Sequence, residues 1–453
     1  MAVQVNKHSG RHSKQQVTLR LMSRDSIGGL PARVGQTVTL YGWITAVRSS
    51  GKIAFLQLRD GSGFVQGVVV RGEVPDEVFN LSTSLSQESS LKVTGVVRQD
   101  PRAPSGVELG VAGLELISRT EDYPITPKEH GVDFLFERRH LHLRHRSPWA
   151  TLRVRDSLIR AIHNFFYERD FIRFDPPMFM PTVVEGTTDL FKVDLFGTDE
   201  VYLSQSGQLY AEAGAMAHGK VYTFSPVFRA EKSKTRKHLL EFWMMEPEVA
   251  YLDHEGNMQL QEELLTYLVA HILDERSAEL EMLGQDPSKL EPAASEPYPR
   301  LTYDEALELL GGLDLGLAWG EDFGAPHETA LGNLFDRPVI IEAWPTRTKA
   351  FYMEPFEGDP TRVKANDVIA PEGYGEIVGG SQRIHDLELL KQRITEHNLP
   401  TEPFAWYLDL RRYGSVPHSG FGLGIERTLA WLTGEHHLRG TIPFPRTLTR
   451  LYP

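Results

Sequence analysis

Four residues close together in the chain, Arg229, Glu231, Phe242 and Glu246, combine a cation, two carboxylates and a flat aromatic ring. They lie in FRAEKSKTRKHLLEFWMMEPE, residues 228–248, where six basic side chains fall within ten positions of a protein of formal net charge −13. A guanidinium binds phosphate, a carboxylate accepts hydrogen bonds from an amine, and an aromatic ring stacks on a base. This inventory suits a purine triphosphate, although a run of charges is also typical of a solvated surface loop.

The elements on either side of this stretch predict a β-hairpin. VYTFSPVF leads in and LLEFWMMEPEVAYL leads out, and both are rich in aromatic and β-branched residues. Side chains alternate along a strand, so Arg229 and Glu231 share one face, as do the aromatic ring and the second carboxylate. The sequence therefore predicts a hairpin with a mobile basic tip and one chemically active surface.

Composition limits the class of protein. At 453 residues, of which 41% are hydrophobic, the chain is long enough for two domains. It contains no cysteine, which excludes disulfides, thiolate zinc sites and cysteine nucleophiles and fits a reducing compartment. No signal-like or membrane-spanning apolar segment occurs, so we expect a cytoplasmic protein that binds no membrane. Its acidity argues against indiscriminate nucleic-acid binding but permits a shaped basic site.

Periodicity divides the chain into segments. Five short strand patterns separated by turns indicate a small closed β-barrel of the oligonucleotide-binding type. Long amphipathic helical patterns (148–168, 255–283 and 385–397), mixed with strands, indicate an α+β domain. The predicted divisions are a polar extension (1–25), the barrel (26–118), a hinge (119–145) and the α+β domain (146–453).

Three segments of the second domain resemble the motifs of class II aminoacyl-tRNA synthetases. RDFIRFDPPMFMP (169–181) resembles motif 1 with its proline, Pro177; FRAEKSKTRKHLLEF resembles motif 2; and GFGLGIERTLAWLTG (420–434) resembles motif 3 with its arginine, Arg427. The motifs stand in order behind the predicted barrel, which implies the subclass for aspartate, asparagine and lysine. The resemblance implies a six-stranded antiparallel sheet flanked by helices and a homodimer built on motif 1.

The resemblance also implies an ATP site. In it, Arg229 and Arg427 are the catalytic cations, and Phe242 and Arg427 cover the two faces of the adenine ring. The full set is Arg229, Glu231, His238, Phe242, Glu376, Gly422, Gly424 and Arg427. Asp367 and Glu376 match the family's Mg²⁺-binding acids, although the nine-residue spacing is longer than usual. Other interpretations are a core position for Phe242, a surface ion pair for Arg427 and a turn cap for Asp367.

The resemblance also implies an amino-acid site. Its residues are Glu185, Gln208, Glu212, Glu246 and Arg383. Aspartyl enzymes of the subclass typically read SPQLYKQ where this chain reads SGQLYAE, so Ala211 replaces the lysine that neutralises aspartate. Glu212 is then expected to face the substrate and accept a hydrogen bond from the asparagine amide. A solvated helix position is the other interpretation of Glu212.

In the barrel, Phe55 and Gln66 match the residues that contact the middle uridine of the anticodon. Glu108 matches a residue that contacts the first anticodon base. Aromatic stacking is the usual way in which single-stranded bases are held. Alternation in IAFLQLRD does not say which face Phe55 takes, so a core position is the other interpretation.

The sequence as a whole resembles asparaginyl-tRNA synthetases. This implies ATP and Mg²⁺ as cofactors, and asparagine and tRNA(Asn) as partners. The alternatives are a non-discriminating aspartyl enzyme, an asparagine synthetase that uses the adenylate with ammonia, and a non-catalytic tRNA-binding paralogue. Amino-acid-dependent exchange of pyrophosphate with ATP separates them.

Overall fold

The computed structural model describes most of the chain in two compact units. The described residues are 24–103, 105–181, 184, 189–197, 201–232, 235–295 and 297–453. They divide between Glu129 and His130. No helix in these ranges is both long enough and apolar enough to cross a membrane.

The first unit is a closed five-stranded barrel, which confirms the predicted oligonucleotide-binding fold. Its strands pair in the order β1-β2-β3-β5-β4, and β4 closes on β1. Every second side chain of β2 and β3 is buried, so apolar residues fill the interior. The elements are β1 (Thr37–Ser50), β2 (Ile53–Arg59), β3 (Phe64–Val70), α1 (Asp76–Ser84), β4 (Ser90–Gln99) and β5 (Val107–Ser118), after a 3₁₀ turn at Ile27–Arg33.

The second unit is built on a nine-stranded sheet. Six consecutive strands, β13-β15-β16-β17-β11-β10, are antiparallel as predicted, while β12 and β6 add parallel edges and β14 pairs with β15. Its strands are β6 (Ile172–Arg173), β10 (Lys220–Phe228), β11 (Glu241–Ala250), β12 (Arg300–Thr302), β13 (Val339–Pro345), β14 (Pro355–Phe356), β15 (Asp359–Ala370), β16 (Gly375–Arg383) and β17 (His418–Gly424). A small sheet contains β7 (Phe179–Met180), β8 (Lys192–Val193) and β9 (Val201–Leu203).

Helices cover this sheet and include the three predicted from periodicity. They are α2 (Val132–Glu137), α3 (Arg139–His142), α4 (Arg146–Tyr167), α5 (Gln208–His218), α6 (His254–Leu283), α7 (Tyr303–Gly312), α8 (Ala325–Gly332), α9 (Leu387–Glu396), α10 (Ala405–Arg412), α11 (Ile425–Thr433) and α12 (Leu438–Thr441). Asp253 caps α6 by accepting from the Gly256 N–H at 2.9 Å, and the left-handed Gly284 ends it. The apolar stripes of α4 and α6 pack with the sheet in one core.

The predicted hinge falls on both sides of the division between the units. Residues 130–145 lie in the second unit, where α2 and α3 form. Arg139 is 1% exposed and donates to the carbonyl oxygens of Pro443 at 2.9 Å and Ile442 at 3.1 Å. This part of the segment is therefore fixed to the end of the same domain.

Candidate active site

An open cavity of about 410 Å³ lies over the antiparallel strands of the second unit. It is lined by most of the residues that the sequence predicts for ATP, magnesium and amino-acid binding. They are Gln208, Arg229, Glu231, His238, Phe242, Glu246, Asp367, Glu376, Arg383, Gly422, Gly424 and Arg427. Glu185 lies outside the described residues.

The predicted hairpin is confirmed and forms one wall of the cavity. Strands β10 and β11 pair along their whole length, and the Arg229 N–H donates to the Leu240 carbonyl oxygen at 2.9 Å. The Arg229 guanidinium carbon lies 5.9 Å from the centroid of the Phe242 ring. His238 Nε2 is 3.4 Å from the Glu231 carboxylate, and burial lowers the pKa of this imidazole, which favours its neutral form at pH 7.

Arg427 stands at the start of α11, directly after the glycine-rich strand β17. Its guanidinium Nη1 donates to the backbone oxygen of Glu376, which ties the helix to β16. Arg427 and Phe242 therefore border the same cavity from different elements, and the space between a guanidinium and an aromatic ring accepts a flat heterocycle.

Glu246 holds the loop that precedes α5. Its carboxylate accepts hydrogen bonds from the Ser206 hydroxyl, the Gly207 N–H at 2.8 Å and the Thr223 hydroxyl at 3.1 Å. Burial raises the pKa of Glu246, and these three donors oppose the increase. The loop places Gln208, the first residue of α5, at the cavity wall.

Arg383 is held by a buried partner that was not predicted. Its Nη2 lies 2.5 Å from Glu248 Oε1, its Nε donates to the same oxygen at 3.1 Å, and its Nη1 donates to the Ser381 hydroxyl at 2.7 Å. Arg383 is 3% exposed and Glu248 is fully buried. The signal in the sequence was the pair of acids in WMMEPE, because carboxylates two positions apart on a buried strand share a face and require a cation.

Gly420 makes this contact possible. Strand β17 separates Glu248 on β11 from Arg383 on β16, and Gly420 pairs directly with Glu248. A Cβ atom at position 420 would lie 2.2 Å from Glu248 Oε1. The missing side chain leaves the space through which the carboxylate reaches the guanidinium.

The prediction that Glu212 faces the substrate is wrong. Glu212 is fully buried and is absent from the cavity lining. Its carboxylate is bound to Arg411 Nη2 at 2.6 Å, His418 Nε2 at 2.9 Å and the Tyr407 hydroxyl at 2.8 Å. Burial alone raises the pKa of Glu212, but Arg411 and His418 outweigh it and hold this pKa below its ordinary value.

Glu212 is linked to the cavity indirectly, through Gln208. Gln208 Nε2 donates to Glu212 Oε1 at 3.2 Å, as their spacing of one helical turn predicts. Helical periodicity placed the two residues on one face but could not say which of them reaches the cavity. Partners from α10 and β17 decide that, and they lie far away in the sequence.

Two predicted acids converge at the other end of the cavity. Asp367 Oδ1 and Glu376 Oε1 lie 3.6 Å and 2.8 Å from the position of the Cβ that Gly379 lacks. Both oxygens thus border one small space, which fits a hard cation that also takes oxygens from phosphate and water. Among the described residues, no three His, Cys, Asp or Glu side chains form a metal cage by themselves.

The surroundings of these acids include two residues that were not predicted, Asp322 and Lys349. Both line the cavity, and Lys349 Nζ lies 2.5 Å from Asp367 Oδ2. Burial raises the pKa of Asp367 to about 7; Lys349 opposes the increase, while Glu376 and Asp322 add to it. Neither residue falls in a motif or a periodic pattern of the sequence.

The barrel places its three predicted anticodon residues on its outer surface. Phe55 is partly exposed between the buried neighbours Ala54 and Leu56, so the core interpretation is excluded. Gln66 accepts a hydrogen bond from Gln57 Nε2 at 3.1 Å on the adjacent strand. Glu108, on β5 beside β3, has the same outward alternation.

Comparisons with known proteins match both units. Residues 131–448 match the family of tRNA synthetases class II (D, K and N), and residues 38–117 match the OB-fold nucleic acid binding domain. The chain is a class II tRNA synthetase. The D, K and N group to which it belongs is the subclass that the predicted barrel ahead of the three motifs implies.

Among the individual proteins to which this class II chain is similar are asparagine–tRNA ligases. The asparagine–tRNA ligase of Thermus thermophilus is 61% identical over 434 residues, which span 94% of this chain and 99% of that protein. The asparagine–tRNA ligase of Deinococcus deserti is 58% identical over 94% and 99%. The crystal structure of asparaginyl-tRNA synthetase from Pyrococcus horikoshii, complexed with asparaginyl-adenylate, matches with a TM-score of 0.91 and 42% identity over 96% of this chain and all of that one.

The buried position of Glu212 gives a stability prediction. Glu212→Gln leaves Arg411 and His418 without their anion, and we expect it to lower the free energy of unfolding by about 3–5 kcal/mol, measured by urea denaturation. Glu388→Gln, which breaks an exposed ion pair with Lys391, is the control and should cost less than about 1 kcal/mol. In a double-mutant cycle, Glu212→Gln combined with Arg411→Met should lower the free energy of unfolding by less than the sum of the two single changes. Equal stability of Glu212→Gln and the unchanged protein contradicts the assignment.

Proposed function

We propose that the protein is an asparagine–tRNA ligase, which activates asparagine with ATP and transfers it to tRNA. The observation that carries this proposal is the cavity. It joins the motif 2 and motif 3 arginines, Arg229 and Arg427, to the buried Arg383–Glu248 pair at its amino-acid end. The curated relatives that cover almost the whole chain carry the same activity in their names.

In the first step, a carboxylate oxygen of asparagine attacks the α-phosphorus of ATP. The new P–O bond forms as the bond to the bridging oxygen breaks, and pyrophosphate leaves with the electron pair. Such a reaction needs position and charge neutralisation more than proton transfer. Arg229 neutralises the α-phosphate, Phe242 and Arg427 hold the adenine, Glu231 accepts from its amine, and His238 reaches the γ-phosphate. In the second step, the acyl group passes to the acceptor end of tRNA(Asn) and AMP leaves.

Asp367 and Glu376 would hold Mg²⁺ through the two oxygens that converge beside Gly379. The ion supplies positive charge to the phosphate oxygens of ATP. The backbone of Glu376 is also tied to Arg427, which keeps this acid in register with the adenine site.

Gln208 and Arg383 select the amino acid in this proposal. Gln208 gives its amide N–H to Glu212, so its oxygen is left to accept from the substrate ammonium group, together with Glu246 and Glu185. Arg383 donates to the side-chain oxygen of asparagine. Ala211, which stands where aspartyl enzymes have their lysine, is fully buried beside Ala215 and Val221 and brings no cation to the site, which supports asparagine as the substrate.

We also propose a homodimer through motif 1 and anticodon binding by the barrel. Apolar side chains near Pro177 support the dimer: Ile172, Met178 and Phe179 are 45%, 49% and 54% exposed. Partly exposed Phe55 beside Gln66 supports stacking on an anticodon base of tRNA(Asn). A cytoplasmic location, predicted from the sequence, stays a prediction.

Amino-acid-dependent exchange of labelled pyrophosphate with ATP tests the proposed activity. We expect exchange with asparagine and little with aspartate. Equal exchange with both amino acids indicates a non-discriminating aspartyl enzyme. Amide formation from aspartate and ammonia indicates a synthetase of free asparagine, and no exchange with either amino acid indicates a non-catalytic paralogue.

Arg229→Ala and Arg427→Ala are each expected to reduce asparagine-dependent exchange by about a hundredfold or more, because the first removes the cation that neutralises the α-phosphate and the second removes the cation that covers the adenine ring. Circular dichroism should show an unchanged fold. Arg412→Ala, which breaks an exposed pair with Asp409, is the matched control and should exchange normally. Normal exchange in either cavity variant rejects its role.

Phe55→Ala is expected to weaken tRNA charging through the loss of about 1–3 kcal/mol of base stacking, while pyrophosphate exchange stays unchanged. The change should appear as a higher KM for tRNA. Because Phe55 lies outside the barrel core, the melting temperature should fall little. Unaltered charging contradicts the anticodon contact.

A further inference from the structure

Lys349 is a partly buried cation for which the proposed reaction has no role. It follows β13 and a 3₁₀ turn at Thr346–Thr348, and its side chain is 13% exposed. Its ammonium group lies 2.5 Å from Asp367 Oδ2 and 3.8 Å from the centroid of the Trp344 ring. The carboxylate and the aromatic face together hold the ammonium at the edge of the cavity.

The acids near Lys349 explain why a cation is needed there. Asp322, Asp367 and Glu376 all line this end of the cavity, and Asp367 is only 8% exposed. Like charges in a partly dry site repel each other, and a buried carboxylate without a partner costs several kcal/mol. Lys349 offsets this repulsion by direct contact with Asp367.

Lys349 also sets the direction in which Asp367 points. Its ammonium occupies Oδ2, whereas Oδ1 borders the space beside Gly379 together with Glu376 Oε1. The lysine thus prepares one oxygen of Asp367 for a metal ion. Its own charge, however, repels a second cation at the same carboxylate.

We propose that Lys349 is a built-in counter-ion of this acid cluster, a positioning residue that neutralises Asp367 in the metal-free protein and weakens the binding of Mg²⁺ alone. The inference rests on the Mg²⁺ site of the proposed function. Two cations that share one carboxylate each lower the affinity of the other, and the coupling is reciprocal. Metal binding therefore depends on phosphate oxygens, and the site favours Mg²⁺ that arrives with ATP.

Melting temperature and calorimetric titration with MgCl₂ alone test this inference in the full chain. Lys349→Met should melt at a lower temperature without metal, because the acids lose their counter-ion. Mg²⁺ should then raise its melting temperature more than that of the unchanged protein, and should bind about fivefold or more tightly. Lys349→Arg keeps the charge and should behave like the unchanged protein.

Two further variants separate charge at this site from general effects. Lys349→Met with Asp367→Asn removes both charges and should recover stability relative to Lys349→Met alone, without the added response to Mg²⁺. Lys92→Met breaks an exposed ion pair with Glu115 in the barrel and should leave the Mg²⁺ response unchanged.

Equal or weaker Mg²⁺ binding in Lys349→Met overturns the counter-ion role, as does a melting temperature that does not fall. Asparagine-dependent pyrophosphate exchange by the unchanged protein reports separately on the proposed function. If the unchanged protein catalyses exchange but Lys349→Met binds Mg²⁺ no more tightly than the unchanged protein does, only the role of Lys349 is rejected. Absence of asparagine-dependent exchange in the unchanged protein rejects the ligase itself.

Discussion

Two buried ion pairs hold the part of the cavity wall that Gln208 and Arg383 line. Glu248 fixes Arg383 at the end of β16, and Glu212 fixes Arg411, whose Nε donates to the backbone oxygen of Ile384 at 2.8 Å. The two pairs thus hold two neighbouring residues of the chain, Arg383 directly and Ile384 through Arg411. Removing such charges from water is costly, and the cost is offset only when every group has its partner in good geometry. These contacts fix where the Arg383 and Arg411 guanidinium groups lie.

The fold was largely predictable because its signals are local. Alternation along the barrel strands and the apolar stripes of α4 and α6 follow from neighbouring residues. Residues of the second and third motifs likewise come together at one cavity. The strand pattern around Phe55 could not say whether this side chain points into the barrel or out of it, because a short alternation fits either face. The face is settled by the apolar residues of five strands that share one interior.

The details of the cavity were less predictable because they depend on contacts between distant segments. Glu212 was predicted to face the substrate but lies buried behind the cavity wall, since its partners Arg411 and His418 belong to other elements. Arg383 pairs with Glu248 across strand β17, which is possible only because position 420 of that strand is a glycine. Lys349 reaches the acids from a turn with no periodic pattern at all.

The Glu212 cluster also constrains how this protein can evolve. Glu212 lies 199 residues from Arg411 and 206 residues from His418, yet the three share one dry site. Replacing Glu212 leaves Arg411 without its anion in the protein interior, so a compatible replacement at Arg411 has to arise at a distant place in the gene. A single substitution of Glu212 therefore lowers the stability of the fold before it changes any residue that lines the cavity.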